Sequence, residues 1–300
     1  MLNVTLSKYT EIGFLRDNQV MDNEQWKQTC QGVFSRSAAT YGQVGPAYFE
    51  HFGRSLVEFA RIPPGAQVLD VACGRGAVLF PVAETIRPSG KVIGVDFSAA
   101  MVAETGREIA ARTIPNASVT QMDAEHLQFP DERFDFVLCG FALFFFPQLN
   151  QALEEMHRVL VPGGQVAVST WGKYDKRWEW LGKLIEKYLS PEPEEAAETQ
   201  QGPDFGTPAG VEAILAAGGF RFLRAEIQTE EITYRSEAEW WSASWSHGGR
   251  QALEEIERKA GPSGLERYKT EAFEHLRTIK TPDGLPERQE VVLAAGYKEK

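Results

Sequence analysis

Between residues 67 and 171 the chain alternates short apolar runs with segments of helical period. The runs at 67–71, 91–95, 118–121, 134–140 and 164–170 read as strands, being short and bounded by polar or glycine-rich turns. The segments near 77–86, 98–112 and 148–160 read as helices. In the last of these Leu149, Leu153, Met156 and Leu160 recur three or four positions apart, which predicts a face packed on a sheet. Strand and helix in alternation imply a parallel sheet. Ser98 is placed as an N-cap. Thr207, Pro208 and Gly218-Gly219 frame a helix at 208–217, with a strand to follow at 220–228. A last strand is expected at 288–296, around Val291-Val292-Leu293.

Elsewhere the pattern changes. Residues 1 to about 22 look weakly structured, and 24–61 read as helices with Phe49, Phe52, Leu56, Val57 and Phe59 on their apolar faces. Residues 172–205 predict a helix and then an acidic, proline-rich stretch with Glu192, Glu194, Glu195 and Glu198. Residues 236–280 predict more helices, opened by the capping-box pattern Ser236-x-x-Glu239. The division expected is therefore an N-terminal helical segment (1–62), a core (63–171), an insertion (172–205), a returning helix and strand (206–229), a second helical insertion (230–285) and a final strand with its tail (286–300).

Composition narrows the classes. An apolar fraction of 43% with 24% charged residues is ordinary for a globular chain. The formal charge of −11 argues against a nucleic-acid partner, whose binders show a basic face. Cys30, Cys73 and Cys139 are odd in number and widely spaced, which fits a reducing cytoplasm and neither disulfides nor a zinc cluster. No signal peptide or membrane span is expected.

The chemistry concentrates where the first strand ends. Asp70-Val71-Ala72-Cys73-Gly74-Arg75-Gly76 closes a strand on a glycine turn and leads into a helix. Twenty residues on, the second strand ends at Asp96. Glycines let a backbone approach a ligand, and an acidic residue at the next strand end can accept from both hydroxyls of a ribose. A nucleoside cofactor is implied. The dinucleotide fingerprint G-x-G-x-x-G fails, because Leu79 stands at its third glycine, and no Walker P-loop occurs.

The series Asp70-x-Ala72-Cys73-Gly74-x-Gly76, Met122-Asp123-Ala124, Pro130-Asp131-x-x-Phe134-Asp135 and Arg158-Val159-Leu160-Val161-Pro162-Gly163-Gly164 resembles class I S-adenosylmethionine-dependent methyltransferases, in the branch typified by ubiquinone and menaquinone biosynthesis. Ala72 stands where that motif has its first glycine. The resemblance, over about residues 64–172, implies an α/β, Rossmann-like sheet of seven strands, mostly parallel with the last antiparallel, under a helical cap. It implies S-adenosylmethionine as cofactor. Ala72, Cys73, Gly74 and Gly76 would pass beneath its methionine part, with Asp70 orienting that end. Asp96 would hold the ribose, with Phe97 beside the adenine, and Met101 would be a further cofactor contact. Asp123 and Ala124 would meet the adenine edge, and Gly140 and Phe141 would adjoin the methionine portion.

An activated methyl needs no covalent nucleophile on the protein, so direct in-line displacement is the expected chemistry. The acceptor would be a small apolar or aromatic molecule, methylated on O, N or C. Phe145, Trp171, Trp241 and Trp245 are candidate acceptor contacts, since six of seven tryptophans fall after residue 170. His247 is the candidate base and Tyr41 a candidate contact to cofactor or acceptor. The fourth strand ends Cys139-Gly140-Phe141, without a carboxylate, so no metal is expected. A nicotinamide oxidoreductase and a non-catalytic cofactor-binding protein remain as alternatives.

Overall fold

The computed structural model describes residues 22–189 and 202–300; the stretch before residue 22 and the acidic run Glu192 to Glu198 lie outside the described residues. Its strands are β1 (Gln67–Val71), β2 (Lys91–Asp96), β3 (Ala117–Gln121), β4 (Phe134–Gly140), β5 (Leu160–Trp171), β6 (Arg221–Tyr234) and β7 (Leu285–Tyr297). They form one sheet in the order β3-β2-β1-β4-β5-β7-β6. β1 to β5 pair in parallel, and β7 runs antiparallel to both its neighbours. The chain therefore has the Rossmann-like architecture expected.

The helices are α1 (Asn23–Ser37), α2 (Tyr48–Ala60), α3 (Leu79–Thr85), α4 (Ala99–Ala111), α5 (Leu149–Val159), α6 (Trp180–Leu189), α7 (Pro208–Ala217), α8 (Glu237–Ser244) and α9 (Arg250–Ile279). α9 is kinked at Gly261, just before Pro262. The Ser98 hydroxyl accepts from Met101 N–H, and the Thr207 hydroxyl accepts from Gly210 N–H, so both caps form.

Alternation along the strands sends successive side chains to opposite faces. Leu69, Val137 and Val166 meet Leu153 and Met156 of α5 and Val211 and Leu215 of α7. Val68, Leu138 and Ala167 meet Phe52 and Leu56 of α2 and Leu79 and Val82 of α3. Each of these Val, Leu, Phe and Met side chains removed from water stabilises the fold by about 1.5–3 kcal/mol. The second cluster continues without a break into Trp178, Leu184, Trp240, Leu253 and Tyr268, so α6, α8 and α9 share the core of α2 and β7.

Two strands are longer than the hydrophobic pattern indicates. β6 runs to Tyr234, past the boundary drawn at 229, and β7 begins at Leu285. β6 is an edge strand, and its exposed face carries Glu226 and Glu230. Charge on an edge is compatible with pairing and discourages association with other chains, but in the sequence it reads as loop. The extra length carries β6 and β7 beyond Trp171, the last residue of β5. Among the described residues no helix is long and apolar enough to cross a membrane.

Candidate active site

In open α/β sheets the ligand crevice lies outside the carboxyl ends of the strands, where the strand order reverses. Here that point falls between β1 and β4. A cavity of about 120 Å³ lies there, walled by Ala72, Gly74, Asp96, Met101, Gly140 and Phe141. Phe97, Asp123 and Ala124 line it as well. Most of the residues expected around the cofactor are thus brought together.

Asp96 organises the turn. Its carboxylate accepts from Gly74 N–H and from Ser98 N–H, each at 2.8 Å. Each oxygen keeps lone pairs for a ligand hydroxyl. Burial raises its pKa to about 6, against the two backbone donors that lower it. Gly74 has φ +50°, and a Cβ placed on it would meet nothing within 4 Å. The space above it is open to a ligand, which is what a cradle for the methionine part requires. Ala72 and Phe141 also have left-handed backbones, φ 55° and 54°. Side chains disfavour that region, so both carry local strain at the edge of the cavity.

Three expected residues lie beneath the loop and do not line the cavity. Gly76 packs on the Phe80 ring. Cys73 fits against Gly94, on which a Cβ would come within 2.8 Å of its Sγ. Asp70 is fully buried with neither carboxylate oxygen in a hydrogen bond of ordinary length; burial pushes its pKa well up, and the nearby Leu79 N–H only partly offsets that. A buried carboxyl short of donors under the glycine turn fits a site whose ligand brings an ammonium group, although it lies behind the loop and does not line the cavity.

The sequence reading missed the role of α1. Lys27 reaches Asp123 at 2.6 Å and the buried Glu125 at 2.5 Å. Gln31 donates to Phe97 O, and Trp26 Nε1 donates to Phe145 O at 2.9 Å. Lys27, Cys30, Gln31 and Phe34 line the cavity, so α1 closes it. Asp123 was expected to accept from adenine; one of its oxygens takes Lys27 and the other Glu125 N–H. Arg75, between the two glycines, donates to Ala38 O at 2.6 Å and thereby fixes the chain leading to Tyr41. No spacing rule announces a lysine on one helix for a carboxylate 96 residues away.

A larger cavity, about 180 Å³, adjoins the first. Phe34, Tyr41, Phe141 and Phe145 line both. Tyr41 stacks on Phe49, and Phe141 stacks on Trp171 with ring centroids 4.2 Å apart. Phe145, Trp171 and His247 reach this cavity as expected. Trp241 and Trp245 do not: Trp241 packs on Tyr268 and Phe273, and Trp245 lies against Trp241 and Arg250. Trp240 and Ser244 face the cavity instead. On a helix the neighbouring position is turned by about 100°, so adjacent tryptophans in sequence point to different surroundings.

His247 does not suit the base it was expected to be. Burial lowers its pKa to about 4, and Gly249 N–H donates to its Nδ1 at 3.2 Å. A neutral ring accepting at Nδ1 carries its proton on Nε2, which makes it a donor. His51, His126 and His157 lie outside both cavities.

The comparisons with known proteins agree with this geometry. A model of the methyltransferase domain matches residues 68–164. The chain is 34% identical over 236 residues to nocamycin O-methyltransferase of Saccharothrix syringae, covering 75% of this chain and 84% of that one. It is 36% identical over 140 residues to demethylmenaquinone methyltransferase of Listeria monocytogenes serotype 4a (strain HCC23), over 46% and 59% of the two chains. A solved structure assigned to a methyltransferase of Bacillus halodurans C-125 shares the fold, with TM-score 0.54, 20% identity and coverage of 82% and 98%. The chain belongs to the class I S-adenosylmethionine-dependent methyltransferases. S-adenosylmethionine is its cofactor, and the choice among nucleosides left open by the glycine turn is made.

Proposed function

We propose that this methyltransferase transfers a methyl group to a small, flat, largely apolar molecule held in the larger cavity. The observation that carries the reading is the junction: two cavities share one aromatic wall of Phe34, Tyr41, Phe141 and Phe145. The smaller takes the cofactor and the larger the acceptor. When bound, the cofactor supplies an activated methyl on a positively charged sulfur, open to direct in-line displacement. The two similar enzymes above, one named for nocamycin and one for demethylmenaquinone, support a small-molecule acceptor.

The residues divide the work. Asp96 receives the ribose hydroxyls on its free lone pairs. Phe97, Met101 and Ala124 flank the adenine, and Lys27 holds Asp123 at its edge. Ala72, Gly74 and Gly140 keep side chains out of the way of the methionine part. The faces of Tyr41 and Phe141 stabilise positive charge at the junction, by about 0.5–2 kcal/mol. Trp171 sets the plane of the acceptor through its stack on Phe141. Aromatic walls also exclude water, which leaves orientation as the main catalytic resource. The negative charge of the chain and the odd number and wide spacing of its three cysteines support a cytoplasmic enzyme with no nucleic-acid partner.

The test is a turnover screen with labelled S-adenosylmethionine and a panel of aromatic hydroxyl, amine and carboxyl compounds. At least one flat aromatic acceptor is expected to be methylated. With that acceptor, Trp171→Ala should raise KM at least about tenfold while cofactor affinity, read by calorimetry, stays within about twofold. Loss of cofactor binding with KM unchanged would reverse the assignment of the two cavities.

A further inference from the structure

The larger cavity is aromatic along most of its wall, yet it contains one buried carboxylate that the proposed chemistry does not use. Glu287, near the start of β7, is 8% exposed and lines the cavity. Val291 pairs with Trp171, so Glu287 lies four residues further along the strand, about 13 Å beyond the Trp171 level at ~3.3 Å per residue. It is therefore at the end of the cavity away from the Phe141 stack.

Its surroundings come from several elements. Tyr48 on α2 and Tyr234 on β6 are buried near it and Tyr174 after β5 is partly buried; burial pushes their hydroxyl pKa values up and the charge of Glu287 adds to the rise. The Tyr234 and Gln289 side chains stand close enough to its carboxylate to lower its pKa, against burial, which raises it. Asp175 and Arg177 face it from the segment between β5 and α6, with opposite effects. The other carboxylates of this cavity have cations or backbone donors. Asp175 pairs with Arg177 at 2.6 Å and accepts from Arg288 N–H. Glu290 approaches Arg288 at 3.8 Å and accepts from Lys173 N–H. Glu287 forms no ion pair among the described residues. A buried carboxylate without a cation is costly unless something supplies a donor.

We propose that Glu287, with the hydroxyls of Tyr48, Tyr174 and Tyr234, is the polar end of the acceptor site and binds a hydrogen-bond donor, a hydroxyl or a protonated amine, at the far end of an elongated flat acceptor. This rests on the larger cavity being the acceptor chamber. The walls between take the apolar body of the molecule and Glu287 reads its far group. Burial raises the Glu287 pKa to about 7. The carboxylate is a stronger acceptor than the acid, so recognition should strengthen as pH rises through that value.

Three rigid biphenyls test this on the full chain saturated with S-adenosylhomocysteine. They are 4-hydroxybiphenyl, 4,4′-dihydroxybiphenyl and 4′-aminomethyl-4-hydroxybiphenyl, titrated by calorimetry between pH 5.5 and 8. The expected result is that one of the two with a second donor binds at least about tenfold more tightly than 4-hydroxybiphenyl at pH 8, with the preference shrinking towards pH 5.5. The dihydroxy compound winning identifies a neutral hydroxyl, and the aminomethyl compound a cation. In Glu287→Leu the preference should fall to within about twofold, while 4-hydroxybiphenyl and S-adenosylhomocysteine bind as before. Glu287→Gln, which keeps the shape, should lose the pH dependence even if the leucine variant fails to fold. If 4-hydroxybiphenyl binds and the second donor gains nothing, or the preference keeps its rise with pH in Glu287→Gln, the role of Glu287 is overturned. If none of the three binds while S-adenosylhomocysteine does, the acceptor chamber itself is overturned, and this inference with it.

Discussion

Asp96, partly buried, and Glu287, buried, are carboxylates near strand termini, each with a pKa raised by loss of water, and on the proposed reading they stand at opposite ends of one active site. Asp96 takes its donors from Gly74 and Ser98, one strand back and two residues on. Glu287 meets tyrosines from α2, from the segment after β5 and from β6. The first environment is written in a continuous stretch. The second exists only once four distant segments have packed. The proposed cofactor side is thus built mostly from turns and strand ends of one α/β unit, closed by α1, while the proposed acceptor side draws on segments spread from α2 to β7 whose relative placement is a tertiary fact.

Replacing Asp96 should separate the two sides most strongly. Asp96→Ala removes a charge-assisted acceptor, whose hydrogen bonds are worth about 1.5–3 kcal/mol, and so cofactor affinity should fall roughly 10- to 100-fold. It also frees Gly74 N–H and Ser98 N–H, so the loss should lie nearer the upper end. Calorimetry with S-adenosylhomocysteine reads the effect. A variant that binds as tightly as the parent would remove Asp96 from the site.

The pH dependence of cofactor binding sharpens the same residue without a mutation. Asp96 is protonated below about pH 6 and ionised above it. The ionised form is the acceptor, so affinity should rise about tenfold from pH 5 to pH 7. The stability of the cofactor-free protein should move the other way. The folded pKa lies above the unfolded value, so the contribution of Asp96 is full below about pH 4 and is lost as pH rises through about 6. Asp96→Asn should flatten the binding profile, and a persistent slope there would assign it to another group.

Lys27 tests the lid, where the two sides touch. Lys27→Met leaves Glu125 buried without its cation, although Gln148 still donates to that carboxylate through its backbone and side chain. Leaving a charged group less than fully paired should cost about 1–3 kcal/mol of stability. Cofactor affinity should drop about threefold to tenfold as α1 loosens over the adenine end. Denaturant melts with and without S-adenosylhomocysteine check both. A fall in stability with unchanged affinity would make the ion pairs a matter of fold alone.

Legibility in the sequence follows the same division. The alternation of strand and helix, the caps at Ser98 and Thr207 and the cavity residues Gly74, Asp96, Asp123 and Gly140 were readable because local spacing places them. Trp240 could not be told from Trp241, since both sit on a short helix with little apolar bias to either face. Lys27 and Glu287 were unreadable for a different reason. A surface-like lysine on α1 and a glutamate in a charged strand take their meaning from partners far along the chain. The charges of β6 hid its length because an edge strand tolerates them.

The smallest effect is expected where the chain departs from the glycine motif. Ala72 holds φ 55° at the mouth of the cofactor cavity, a conformation in which its Cβ is a steric cost. Glycine removes that cost, which for a left-handed residue is about 1–2 kcal/mol. It also returns about 0.4–1 kcal/mol of backbone freedom to the unfolded chain. The difference favours the folded state or is near zero, so Ala72→Gly should stabilise the protein by about 0–1.6 kcal/mol. Cofactor affinity should stay within about twofold, because Gly74, with open space above it, already provides the close approach. A thermal melt together with one calorimetric titration reads both quantities. If affinity instead rises tenfold, the methyl of Ala72 stands in the way of the cofactor, and the turn is a less complete cradle than its geometry indicates. If stability falls, the strain is relieved elsewhere in the loop, and the alanine side chain packs to advantage against its neighbours.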